Sequence, residues 1–463
     1  MSENNITSEK NYELYKLEII STNGRGINIY PQLVELSIFE DIYNSTISGE
    51  VMISDSLDFF ASIPLNGFEF ISIGFSKPGS EGDVIFEGVY RIYKMKSLAI
   101  SPVTTSNHTY ILYFCSEENI LSLSRRISKS YKAKTSSEIV SDILANQLRV
   151  SSKKLARTSI EKTIGRYDII VPYLNPLAAI SWIASRTISS TAKSAGACYM
   201  FYENSLGYNF KSLETLFQQE SKAKYLYRAK NISFPRETFT DQVRNVITYQ
   251  FMNTFDIISG MSQGMFSSLL RGVDLTRLQV NSVTFDYDEF FKKSTHINND
   301  RISTDKTPHP FHNDYSDRLG NKIYKNYFST MKMYPTNKNH DTNFNIARKQ
   351  PAINQNLVES WMLQRASQIS QLNYFKLKLV VPGDTLIRVG DIIDFTVPLG
   401  TGDNLEIENK NPYYSGRYLI TAIRHKMNYE SYEMIIEATR DCLSTGLPRE
   451  LSGNPLVDEI KKR

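Results

Sequence analysis

The sequence predicts a mainly β protein with an α+β insertion: two related antiparallel β-barrels and a small α+β domain. Three observations carry this expectation. Apolar and polar residues alternate at period two from Tyr12 to Phe114, with Gly, Pro, Asn and Ser at the breaks, as in successive hairpins. A matching order of turn, strand and hairpin returns after residue 389. Between the two lie segments of helical period, at 139–148 and 177–184.

Residues 1–10 are polar and read as a flexible N-terminus without a secretory signal. The first barrel spans 11–117, from YELYKLEII through INIYPQLVELSIFE, STISGEVMISD, FEFISIGFS and DVIFEGVYRIYKM to HTYILYF. In the α+β domain, 118–225, Thr135-Ser136-Ser137-Glu138 is a capping-box pattern ahead of Ile139, Val140, Ile143, Leu144 and Leu148. Asn175 and Pro176 signal a second helix start, and ACYMFYE, a turn at Leu206-Gly207 and YNFKSL form a hairpin. The first part of the second barrel is 226–290. Residues 291–350, rich in Lys, Asn, Asp, His, Ser and Thr, read as a polar surface excursion. A connecting helix follows at 351–373, with Leu357, Trp361, Leu363, Ala366, Ile369 and Leu372 on its apolar side. The second barrel is completed by 374–443, and 444–463, broken by Gly446, Pro448, Gly453 and Pro455, forms an extended arm.

Composition narrows the function. A length of 463 residues favours more than one domain, and 53 Lys+Arg against 49 Asp+Glu gives no sign of a polyanion partner. The densest basic runs, Arg125-Arg126 and Lys461-Lys462-Arg463, read as solvated surface. Cys115, Cys198 and Cys442 are too scattered for a disulfide framework or a C-x-x-C metal pair, which points to buried thiols and a reducing compartment. The apolar stretch Ile169 to Ala184 is broken by Pro172, Asn175 and Pro176, so no membrane insertion is expected.

The repeat is the most informative feature. NGFEFISIGFSKPG, GVYRI and YILYF in the first copy match VGDIIDFTVPLG, GRYLI and YEMII in the second. Gly67 corresponds to Gly390; Gly88, Tyr90 and Ile92 to Gly416, Tyr418 and Ile420; Tyr110 to Tyr432; and Cys115 to Cys442. These residues form a structural fingerprint of turn glycines and cross-strand tyrosines.

Chemical readings compete with this one. Gly260-Met261-Ser262-Gln263-Gly264 spells the G-x-S-x-G of a hydrolase elbow, with His425 downstream in the right order. Such an elbow needs a parallel sheet of alternating strands and helices, whereas this chain offers hairpins. Ser262 therefore reads as part of a turn, with Ile257, Ile258, Met265, Leu269 and Leu270 as anchors, in a connection between strands of the second barrel. His309-Pro310-Phe311-His312, with His296 and His340, does not place imidazoles on one helical face, and solvated loop histidines are expected. Asp286-Tyr287-Asp288-Glu289 could supply a muralytic carboxylate pair, but acidic residues commonly end strands. No catalytic, cofactor-binding or metal-binding residue is expected, and no enzyme.

VVPGDTLIRVGDIIDF followed by SGRYLITAIRHKMNYESYEMIIEATRD resembles the second tube domain of the central baseplate hub of contractile, T-even-type phage tails, and its relative in type VI secretion spikes. QNLVESWMLQRASQISQL is similar to the hub helix that leads into that domain, and GMFSSLLRGVDLTRLQVNSVTFDYDEFF to a further hub pattern. The resemblance covers about 160–442. It implies a homotrimer whose two tube domains per chain make a pseudo-sixfold ring, adapting a sixfold tail tube to a threefold spike. It also implies as partners a tail tube or tube-initiator protein, a central spike protein and baseplate wedge proteins, with tape measure and DNA passing through the lumen. The implied location is the virion tail baseplate, assembled in the host cytoplasm. The alternatives are a tail-associated cell-wall hydrolase and a type VI-like spike hub. The latter would carry a long C-terminal β-helix, and only about twenty residues follow Cys442.

Overall fold

The computed structural model describes residues 12–22, 24, 26–55, 65–76, 86–97, 108–191, 196–227, 245–274, 278–298, 330–336, 358, 361–399 and 406–444. The chain is mostly β. The N-terminal set of strands is β1 (Glu13–Ile20), β2 (Gly26–Asn28), β3 (Leu33–Asp41), β4 (Ser48–Asp55), β5 (Phe70–Ser76), β6 (Phe86–Ser97) and β7 (His108–Cys115). Alternation written in the sequence appears as alternating burial, for example in β4, because one face of each strand meets the core. Pairing runs β2–β1–β5–β6–β7–β4–β3, all antiparallel.

The middle of the chain holds β8 (Ser130–Lys134), β9 (Ser159–Ile160), β10 (Tyr167–Ile170), β11 (Tyr199–Glu203) and β12 (Tyr208–Ser212). Thr135 caps the helix Ser136–Asp142 through the reciprocal box expected from its sequence, and five residues of π-helix extend it. The helix Pro176–Ala184 starts where Asn175 and Pro176 place it. These helices and β11–β12 share a core around Ile139, Ile143, Ile180 and Tyr199.

The C-terminal set comprises β13 (Ser221–Tyr227), β14 (Asn245–Val246), β15 (Thr248–Asn253), and, after a separate excursion, β19 (Lys376–Pro382), β20 (Ile392–Thr396), β23 (Gly416–Asn428) and β24 (Tyr432–Thr439). Its ladder runs β14–β13–β20–β23–β24–β19–β15. Strand for strand this is the N-terminal graph again, with one difference. β13 runs parallel to β14 and β20, whereas β1 is antiparallel to β2 and β5. In both sets a short strand and the long one just after it (β2 and β3, β14 and β15) reach opposite ends of the ladder. The two ladders join through β3 and β23 into one sheet of fourteen strands with a common core.

The excursion corrects one expectation. β16 (Ser267–Asp274), β17 (Gln279–Asp286) and β18 (Met331–Thr336) form their own sheet, order β17–β16–β18, and do not enter the large ladder. Two short strands, β21 (Pro398–Leu399) and β22 (Glu406–Lys410), follow β20 in the chain and pair with each other. The connecting helix is described as Met362–Tyr374, and residues 351–357 and 359–360 of the expected helix lie outside the described residues. No helix among the described residues is long and apolar enough to cross a membrane.

Candidate functional site

The stretch that spells a nucleophile elbow folds as a seven-residue helix, Ile257–Gln263. Asp256 caps its start by accepting from the Ser259 amide, and Gly264, at φ +75°, ends it in the left-handed conformation. Ser262 lies inside the helix and donates its hydroxyl to the Ser259 carbonyl 3.0 Å away, so it lacks the strained strand-to-helix turn that the chemistry needs. The two isoleucines expected as anchors are exposed, Ile257 at 50% and Ile258 at 84%, whereas Met265, Leu269 and Leu270 are buried. Ser262→Ala is expected to change the unfolding free energy by less than about 0.5 kcal/mol. A larger loss in a denaturant titration would contradict this placement.

The other chemical candidates also acquire structural roles. Asp286 ends β17 and caps the helix Tyr287–Lys293 by accepting from the amides of Asp288 and Glu289. His425 is buried on β23 with Nδ1 2.8 Å from the Tyr432 hydroxyl; burial, reinforced by the Arg388 charge, pushes its pKa down to about 3, so it is neutral at ordinary pH. His309, His312 and His340 lie outside the described residues. His296 was expected in a solvated loop and is instead buried, with Nδ1 2.7 Å from Asp441 Oδ2 and Nε2 2.6 Å from the Phe291 carbonyl.

His296, Asp441 and Cys442 bring possible ligand atoms within 4.8 Å of one another. The arrangement does not fit a metal. Both ring nitrogens of His296 face acceptors, which calls for a proton on each and leaves no lone pair to donate. Burial also pushes the Cys442 thiol well up, against the thiolate a metal would need. The pair is an ionic clamp between the segment after residue 291 and the end of β24. Burial opposes the charge on His296, but Asp441 and the Phe291 carbonyl outweigh it and hold the pKa above its ordinary value of 6.5. A raised folded-state pKa gives stability that is complete below 6.5 and lost as pH rises through the folded value. The melting temperature should therefore fall over that window in the unsubstituted chain and less in His296→Gln, as thermal scans at stepped pH would read.

All three cysteines are buried and free. The fingerprint glycines Gly67 and Gly390 adopt φ +89° and +87° at the turns into β5 and β20. Tyr90 faces Ile71 and Tyr418 faces Ile393, and both tyrosines are buried. Gly88 faces Ile73, Gly416 faces Phe395, and a ladder irregularity follows Ile92 and Ile420 alike. Register corrects the rest of the match. Arg91 faces Cys115 and Leu419 faces Thr439, so Cys115 stands in the place of Thr439, not Cys442, and Tyr110 in that of Met434, not Tyr432.

The seam between the ladders is the most elaborated site. Seven residues of β23, Ala422 to Asn428, pair with Asp41 to Glu35 of β3. Arg424 bonds Glu35 at 2.9 Å and Ser37 at 3.1 Å, and its guanidinium lies 5.5 Å from the Phe39 ring centre. Behind the seam Glu40 accepts from the Ser205 and Val389 amides, at 2.9 and 3.2 Å, which ties β3 to the middle domain and to the turn before β20. Burial pushes its pKa up to about 7 against those bonds and Arg388. Nearby, Glu203 accepts from the Ile47 amide and the Ser116 hydroxyl and pairs with Lys154 at 2.6 Å, which also reaches Glu118 at 2.9 Å. Lys154 and Glu203 help line a polar cleft of about 1080 Å³ with Gly88, Tyr90 and Arg388. Lys154 is paired with Glu118 and Glu203 across its wall, which ties the middle domain to the first ladder. No sequence motif marks these residues, because their partners are distant in the chain.

A search of family models finds none that matches. Among solved structures, the 43 kDa tail protein of prophage MuSo2 from Shewanella oneidensis superposes with a TM-score of 0.51 at 9% identity, covering 92% of this chain and 98% of that one. The chain has a phage-tail fold. Along the sequence it is 21% identical over 421 residues to a protein of Vibrio phage KVP40 named probable baseplate hub protein gp334, covering 89% of this chain and 90% of that one. The resemblance to baseplate hubs read from the residues thus recurs in the name of a relative aligned over 89% of this chain. An E. coli type VI secretion component, described as structurally similar to T4 bacteriophage tail proteins, aligns over 96% of this chain and 80% of its own, with a TM-score of 0.43 and 10% identity.

Proposed function

We propose that this chain is a structural, non-enzymatic hub of a contractile-tail baseplate. Its two ladders are two barrel-like tube domains flanking an α+β domain, and three chains close into a ring of six such domains. The ring presents near-sixfold symmetry to a tail tube or tube initiator and threefold symmetry to a spike, with wedge proteins outside and tape measure and DNA passing through the lumen. The observation that carries this reading is the doubled pairing graph. A duplicated unit in one chain lets three copies mimic six, and a head-to-tail contact repeated at the right rotation closes without loose ends. The similarity to a protein named as a baseplate hub supports it.

Light scattering on the purified chain at micromolar concentration is expected to give three chain masses. Negative-stain projections should show a ring with six lobes and threefold detail. A monodisperse monomer in the first measurement, with no ring in the second, would sink the reading.

A further inference from the structure

The seam between the two ladders is used once within the chain, although the strands that make it occur twice. By ladder position β6 is the counterpart of β23, and β15 of β3. Arg91 and Leu419 match through their partners Cys115 and Thr439, which puts Lys96 in the place of Arg424 and Met95 in that of Ile423. Ser48 and Lys376 match through the same partners, and they face Phe39 and Asn253, so Asn253 stands in the place of Phe39. Counting back, Gln250 matches Ser37 and Thr248 matches Glu35.

Burial shows which copies are in use. Ile423 on β23 is 1% exposed, whereas Met95 on β6 is 44% exposed. Ser37 on β3 is fully buried, whereas Gln250 on β15 is exposed. Among the described strands, β5 covers one edge of β6 only as far as Arg91, and none pairs with the edge of β15 opposite β19. Among the described residues, each chain thus carries part of a second set of both halves of the seam, on strand edges that no described strand covers and that invite pairing.

We infer that a second copy of this chain occupies these edges: the end of β6, Lys94 to Ser97, pairs antiparallel with the end of β15 and the two residues after it in the neighbouring chain, with Lys96 opposite Asn253 and Ser97 opposite Phe251. The inference rests on the ring reading above and names its contact. Repeating the joint from chain to chain is heterologous, and it closes at three copies when the rotation within a chain and the one between chains together make a third of a turn. The ion pairs are not carried over, since Thr248 and Lys378 stand where the intrachain seam has Glu35 and Glu50. Backbone hydrogen bonds therefore hold the joint, flanked by the exposed side chains of Met95, opposite Thr254, and Met252, at the irregularity between Phe251 and Asn253.

Full-length chain carrying Lys96→Cys and Asn253→Cys tests the register. Mild oxidation is expected to give covalent dimers and trimers on a denaturing gel and nothing larger, whereas Lys96→Cys with Thr248→Cys, displaced along the strand, should stay mostly uncrosslinked. Met95→Asp, and independently Met252→Asp on the opposite edge, should shift light scattering from three chain masses to one. Both side chains are exposed in the single chain, so circular dichroism and melting temperature should change little. If the chain is trimeric but neither aspartate variant dissociates it and no crosslink forms, the edges are wrong while the ring stands. If the unsubstituted chain is monomeric and uncrosslinked, both fail.

Discussion

Lys154→Met is expected to destabilise the chain by about 3 kcal/mol at neutral pH, measured by denaturant unfolding. The substitution keeps the aliphatic stem and removes one charge from a cluster in which Lys154 contacts Glu203 at 2.6 Å and Glu118 at 2.9 Å. Glu203 is 4% exposed and would be left as a buried carboxylate facing a second one, an arrangement that costs several kcal/mol when one partner of a buried pair is deleted. The low end of that range applies because the Lys154 side chain keeps 21% exposure. The sign of the pH dependence is a second check. Burial raises the Glu203 pKa in the folded state, Lys154 counteracts that rise, and its loss raises the value further. Protonating Glu203 relieves the penalty, so the gap between variant and parent should narrow as pH falls toward 4.5, the ordinary glutamate value. Adding Glu203→Gln should recover part of the loss at neutral pH. A variant within 0.5 kcal/mol of the parent, on the scale of a neutral surface change, would mean the cluster does not lock the middle domain to the first ladder.

Gly390→Ala should cost a similar amount, about 3 kcal/mol, for two separable reasons. The residue sits at φ +87°, where a side chain adds roughly 1–2 kcal/mol of backbone strain. A Cβ there would also lie 2.0 Å from the Tyr202 hydroxyl, so β11 or the turn before β20 must move, at a typical overpacking cost of about 1–3 kcal/mol. Tyr202→Phe removes the offending oxygen. The Tyr202 ring carbon Cζ would still lie 2.8 Å from the added Cβ, so the double variant should regain part of the contact share and keep the strain share, and the two losses should combine non-additively in a thermodynamic cycle. Additive losses would show that Tyr202 and Gly390 are not pressed together.

Much of the fold was legible because local physics writes it locally. Alternation marked the strands of the first ladder, and Thr135 to Glu138 specified a helix start whose two reciprocal bonds are both present. Alternation identifies a strand but not its neighbour, which is why β16 and β17 read as part of the second barrel although they pair in a sheet of their own. The match of Tyr110 to Tyr432 failed for a related reason: like residues were aligned by order, and register moved the correspondence by two positions. Ile257 and Ile258 looked like anchors because they are apolar, yet a helix of seven residues has too few turns for periodicity to tell its inner side from its outer one. The buried ionic contacts were invisible in principle. His296 and Asp441 are 145 residues apart, and nothing in either neighbourhood names the other.

The seam also sets an order in time. The strands of the first ladder lie close together in sequence, so they can pair while the chain is still being made. Their edge strand cannot be covered so early, because Ser37 meets Arg424, 387 residues further on. At ordinary synthesis rates β3 therefore waits roughly 20 to 80 s for β23, and over that interval it is open to the wrong strand from another nascent chain. Glu35 and Glu40, on the waiting strand, place acidic side chains along it until the partner arrives.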